Sequence, residues 1–186
     1  MTPIFFIILQ SLQSKSKTSY TKVIQELFTV VPGEGHYSDA GPDRCRTCAV
    51  VGNSGNLLGT KYGKLIDNHD FVFSLQLTTK GFIILLLFQV MVMHPAFMHY
   101  VHNTWLHIKA RRSYPSTGIL VLIFALHICD QVSVFGFGAN SKGYWYHYFE
   151  KMPKFFWRTG LHSGGIEHDV IKELQKRKLI DLYKGW

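Results

Sequence analysis

No Asn-x-Ser/Thr glycosylation acceptor occurs in this chain of 186 residues; Asn53-Ser54-Gly55 only looks like one. Nor is there an internal repeat or a low-complexity tract, which removes solenoid and linker architectures. Long apolar runs are missing too. The run Ile4 to Leu9 is far short of the ~20 residues that cross a bilayer. It has no basic residue in front and no small-residue cleavage pattern behind, so it makes a poor signal peptide. Gly81 to Met93 is longer but broken by Gln89, which suits a buried helix or strand. No membrane anchor is visible. Cysteine is scarce as well: Cys45, Cys48 and Cys129 are too few and too scattered for a closed zinc site. The Cys45/Cys48 spacing leads into the apolar stretch Ala49–Val51 and does not open a helix, which argues against a redox pair. An odd count in a secretory protein leaves one thiol over.

What remains is a chain able to fold. Hydrophobic residues make up 47% and aromatics 15%, enough for a single domain with its own core. The formal charge is +8, with ten histidines besides. Such a surface attracts nucleic acid, anionic lipid or a phosphate-bearing small molecule, and charge alone does not choose among them. No RRM, KH or zinc-finger pattern supports a nucleic-acid partner.

Ser, Lys and Thr dominate Ser14 to Tyr20, so residues 1–20 read as a disordered leader and 21–186 as the folded part. Thr21 to Val31 has Val23, Ile24, Leu27 and Phe28 at helical spacing, with Thr21 as N-cap and Pro32-Gly33 as the stop. Cys48–Val51 reads as a buried strand that breaks into the glycine-rich turn Gly52 to Asn56. A strand followed by such a turn brings backbone N–H groups close to phosphate, though G-x-x-G is also common in ordinary turns. Asp70–Leu77 reads as a second strand. Pro115 and the caps Ser116 or Thr117 open a helix that is apolar nearly all round from Ile119 to Cys129, and hence deeply buried. Val132–Gly138 is then a strand ending in glycines. Loop, buried helix and strand in this order mean α/β architecture with ligand loops at the strand ends. The last helix, from about Ile166 to Lys178, carries its basic residues at the C-terminal end, where the dipole favours them; a solvated basic face explains them.

Four segments in sequence carry a more specific signal. They are CAVVGNSGNLLGTKYGKLIDNHDFVFSL (Cys48–Leu75), HPAFMHYVHNTW with YPSTGILVLIFALHICDQVSVFGFGA, YHYFE (Tyr146–Glu150), and HSGGIE (His162–Glu167). Together they resemble the long, short, third and very short sialylmotifs of the animal sialyltransferase family. The likeness is greatest to the members that act on Galβ1,3GalNAc with α2,3 linkage, and it runs from about residue 20 onward. The resemblance implies a Rossmann-like α/β sialyltransferase fold (variant GT-A) in a single catalytic domain over 21–186. It implies transfer of sialic acid from CMP-N-acetylneuraminate, a nucleotide-sugar donor, to a galactose-terminated glycan acceptor, with inversion. It implies His162 as general base and His147 as the group that stabilises the departing phosphate. The donor would be held by Asn53, Ser54, Asn56 and Gln76 on one side and by Tyr114, Ser116, Thr117 and Gly118 on the other, with Gly118 admitting the ligand to the backbone. Gly138 and Trp145 would complete the wall. Cys48 and Cys129 match the family's disulfide, which would pin the two donor loops together, and Cys45 is left as the odd thiol. No cofactor or divalent metal is implied, and no nucleic acid. The location implied is the lumenal face of the Golgi membrane, with the family's anchor not seen in this chain. A dimer is one option for assembly.

The chain departs from the family where Ser74 and Gln76 replace an Arg and an Asn. It also departs between Phe82 and His94, where the family has several dozen further residues of sheet and acceptor wall. That internal deletion, near 82–93, implies that part of the sheet is missing and that activity is weak or lost, while Phe88–Met93 can fill one strand position.

Overall fold

A computed structural model describes residues 3–6, positions 21, 22, 25, 26 and 29, and residues 43–75, 89–91, 93–108, 113–138, 146–148 and 162–185. Its centre is a parallel sheet of β1 (Pro3–Phe6), β2 (Thr47–Val51), β3 (Phe71–Ser74), β4 (Gln89–Met91), β5 (Gln131–Phe135) and β6 (Asp181–Tyr183), in the order β4-β1-β3-β2-β5-β6. The helices are α1 (Gly63–Asp67), α2 (Pro95–Tyr100), running on into a π-helical turn Val101–Trp105, α3 (Thr117–Ile128) and α4 (Gly164–Lys176). A parallel sheet with helices is the α/β architecture expected.

The two central strands are buried on both faces, as parallel strands under helices must be. Cys48 and Val50 point into a core shared with α3, α4 and the π-helical turn. Ala49 and Val51 alternate with them and point to the other face, among Phe135, Tyr62, Leu65, Ile66 and Tyr183. Ile119 to Ile123 and Ala125 are all buried, as the nearly all-apolar sequence of α3 demands, and only His127 near its C-terminal end is exposed. Ser116 is the cap, its Oγ accepting the Ile119 N–H at 3.2 Å. By contrast α4 is amphipathic: Ile171 and Leu174 are buried, whereas Lys172, Glu173, Lys176 and Arg177 face water.

Pro3–Phe6 depart from the disordered leader expected over 1–20. Their backbone pairs in parallel with β3 (Ile4 opposite Phe73) and with β4 (Phe5 opposite Val90), filling the place between them. β4 occupies the strand position expected within Phe88–Met93. Helical structure is present at positions 21, 22, 25, 26 and 29, with Thr21 inside it and not capping it; Val23, Ile24, Leu27 and Phe28 lie outside the described residues. Cys48 and Cys129 form a disulfide, Cα–Cα 6.1 Å, and Cys45 is a free, exposed thiol. The disulfide does not, however, pin the donor loops. Cys48 is near the start of β2 and Cys129 caps the far end of α3, whereas the loops leave the end of β2 and precede α3. The twelve-residue helix separates them by about 18 Å, so the bridge ties the elements at the opposite end of the strands.

Candidate active site

In an open parallel sheet, ligands bind beyond the carboxyl ends of strands where the chain order changes direction. Here that point is between β2 and β5, since β3 follows β2 on one side and β5 joins it on the other. The loops leaving these strands are bonded to each other. Gly52 N–H donates to Phe135 O (2.8 Å) and Ser54 N–H to Gly136 O (3.0 Å). Ser54 Oγ donates to Gly138 O at 2.6 Å, and Asn56 Nδ2 to Phe137 O at 2.8 Å. Ser54 also turns the chain by accepting Asn56 N–H at 3.2 Å. Gly136 (φ 69°) and Gly138 (φ 95°) hold left-handed backbone that a side chain would strain.

The third segment closes on the same turn. Gly55 N–H donates to Tyr146 O (2.9 Å) and Tyr148 N–H to Asn53 O (2.8 Å), which makes His147 an antiparallel bridge partner of Ser54. The Tyr146 ring covers Gly55 so closely that a Cβ there would collide with it. His147 is therefore fixed by its backbone while its side chain is exposed.

The other histidine is anchored from the opposite loop. His162 Nδ1 lies 3.1 Å from Tyr114 O, and the two rings meet edge to face at 4.6 Å. A carbonyl only accepts, so Nδ1 carries the proton and the lone pair falls to Nε2. That is the tautomer a general base needs. Glu167 then locks the loop to α4: buried, it accepts Ser116 N–H on Oε1 (2.8 Å) and Ser116 Oγ on Oε2 (2.5 Å). A second tie joins Ser113 Oγ to Ser163 Oγ at 2.8 Å.

Of the residues implied by sequence, Ser54, Asn56 and Gly138 are thus joined in one network, and Asn53 enters through its carbonyl. Tyr114 and Ser116 are joined to His162 and its helix, and Thr117 is the first residue of α3. At Gly118 a Cβ would come within 2.8 Å of the Phe137 ring, so the lack of a side chain there makes room for Phe137. Gln76 and Trp145 lie outside the described residues. Sequence reasoning gave no role to Glu167, although its place five residues after His162, in the first turn of a helix, was a signal. It also missed Phe137, whose position depends on the fold of the Gly136–Gly138 turn.

Comparison with known proteins accords with this geometry. The model of glycosyltransferase family 29 (sialyltransferase) matches residues 5–83 and 74–179. A mouse CMP-N-acetylneuraminate-beta-galactosamide-alpha-2,3-sialyltransferase 2 is 35% identical over 237 aligned positions, covering 94% of this chain and 67% of the mouse protein. A human type 1 enzyme of the same designation is 34% identical, with 93% and 69% covered. The crystal structure of a mammalian sialyltransferase superposes with a TM-score of 0.71 at 34% identity, covering 96% of this chain and 83% of that one. A mammalian sialyltransferase in complex with Gal-beta-1-3GalNAc-ortho-nitrophenol gives 0.69 at 32%, with 94% and 83% covered. The chain belongs to glycosyltransferase family 29, the sialyltransferases.

Proposed function

We propose that the chain moves sialic acid from CMP-N-acetylneuraminate to the 3-hydroxyl of galactose in Galβ1,3GalNAc glycans, without a metal and with inversion. His162 Nε2 takes the proton of the acceptor hydroxyl as its oxygen bonds to the anomeric carbon. The bond from that carbon to the CMP oxygen breaks, and the electron pair leaves with CMP. His147 stabilises the charge gathering on the phosphate. The loops at the ends of β2 and β5, with Ser116 and Thr117 at the head of α3, form the donor pocket. The observation that carries this reading is the hydrogen bond from His162 to Tyr114 O, which sets the basic nitrogen of a half-buried histidine. The acceptor class follows the relatives' designation and the Gal-beta-1-3GalNAc bound by one solved neighbour. By the same resemblance the protein works at the lumenal face of the Golgi membrane.

One observation favours a second reading, a donor-binding member that no longer transfers. The alignment to the mouse enzyme spans 237 positions, more than the 186 residues of this chain, so the relative carries residues absent here. Loss near 82–93 would remove acceptor wall and leave the donor loops intact. Calorimetry with CMP beside a transfer assay on a Galβ1,3GalNAc acceptor separates the two: turnover supports the first, and binding without turnover supports the second.

A further inference from the structure

His168 follows Glu167 on α4, is half-buried, and has no part in the mechanism above. Its ring packs on the backbone of Gly138. A Cβ at that glycine would lie 3.2 Å from His168 Cε1 and 3.5 Å from Nδ1. Gly138 is no ordinary turn residue: it holds φ 95°, and its carbonyl accepts the Ser54 hydroxyl that organises the β2 loop. A side chain from α4 thus buttresses the turn at which the β2 and β5 loops are joined. The same helix, one residue earlier, grips the head of α3 through Glu167. Consecutive residues of α4 therefore brace both sides of the crevice.

We propose that His168 is a positioning residue for the donor nucleotide, holding the Gly138 turn, and through it Ser54, in the geometry that receives CMP. This rests on the donor-binding reading above. Charged groups around the ring are Lys172 and Asp169 on its own helix and Lys184 beyond β6. Burial, then Lys172, hold its pKa below the ordinary histidine value; Asp169 pulls the other way and Lys184 adds to the depression. At neutral pH the ring is uncharged and packs as a planar neutral body. As pH falls through that lowered pKa the ring gains a charge that burial and both lysines oppose, and the brace loosens.

The test is CMP binding by calorimetry at pH 7.5 and pH 5.5, on the unmodified chain, His168→Ala and His168→Gln. At pH 7.5 His168→Ala weakens CMP about fivefold, while His168→Gln, planar and neutral, stays within about twofold. On acidification the unmodified chain loses more affinity than His168→Gln, which has no proton to gain; this difference cancels the titration of CMP itself. Equal affinity of all three proteins at pH 7.5, or the same pH response with Gln as with His, overturns the role of His168 alone. Should His168→Ala fail to fold, the Gln comparison still decides. No CMP binding by the unmodified chain overturns the donor-site reading and this inference together.

Discussion

Glu167 shows what a single side chain does in this site. Its two oxygens take both hydrogens that Ser116 offers, one from the backbone and one from the hydroxyl, so the loop before α3 and the start of α4 move as one piece. Hydrogen bonds to a charged group contribute about 1.5–3 kcal/mol each, more than neutral ones. Glu167→Gln keeps the size but replaces one acceptor with an amide, which cannot accept from both. We expect kcat/KM to fall about tenfold or more, with a rise in donor KM included, as steady-state kinetics would show. His162→Ala removes the base itself: transfer is lost while CMP binding survives. A further residue-scale case is Asp70, which clamps the start of β2 by accepting from Thr47 N–H (2.9 Å) and Oγ1 (3.0 Å). The backbone bond from Thr47 is the chief reason its pKa is lowered; burial opposes it, and the Thr47 hydroxyl, Arg44 and Arg46 add to the lowering. A depressed carboxylate adds stability above its unfolded pKa and loses it as pH falls through the folded one. Asp70→Asn should therefore be less stable than the unmodified chain at neutral pH, and the gap should close in acid denaturation curves well below pH 4. A constant gap at every pH would remove the ionic contribution.

At the scale of elements, legibility followed locality. The run Ile119–Leu126 is wholly apolar and Ser116 stands before it, so both the helix and its burial could be read from the residues. The same holds for β2, β3 and β5, whose β-branched runs end in glycine or polar turns. Elements held by distant partners could not be read. Asp181–Tyr183 is three residues long and is a strand only because β5 lies beside it. Pro3–Phe6 likewise pair with strands more than sixty positions away in the chain. The disulfide partners matched the family pattern, but their location at the ends of the strands opposite the loops depends on the direction of α3, which no spacing encodes. It closes a loop of 81 residues, worth about 4 kcal/mol by chain-entropy reasoning. Cys129→Ser, or reduction, should lower the Tm by roughly 8–16 °C in a calorimetric scan. Because the bridge is remote from the loops, CMP affinity measured below the transition should change little.

Over the whole molecule, the parallel sheet divides the labour. The end of the sheet where β2 and β5 begin is stapled by the disulfide and by Asp130 and Asp70 accepting from the backbone N–H groups of Arg46 and Thr47. The end where those strands finish carries their linked loops, both histidines, and the α4 residues that brace them. Motif order pointed to stretches that the fold brings together, since each motif is a contiguous stretch. How those stretches meet was not legible, because Phe137 filling the space beside Gly118 and Glu167 binding Ser116 join residues from separate stretches. The proposed mechanism uses no metal, so under it transfer should persist undiminished in excess EDTA; loss restored by a divalent ion would contradict the metal-free reading.

The most direct test is transfer from CMP-N-acetylneuraminate to a Galβ1,3GalNAc acceptor by the unmodified chain and His162→Ala in parallel, with CMP binding confirmed for both. The account predicts an α2,3-linked product from the unmodified chain and none from the variant. Equal product from both would contradict the assignment of His162 as base, and none from either would contradict the transferase reading of this chain.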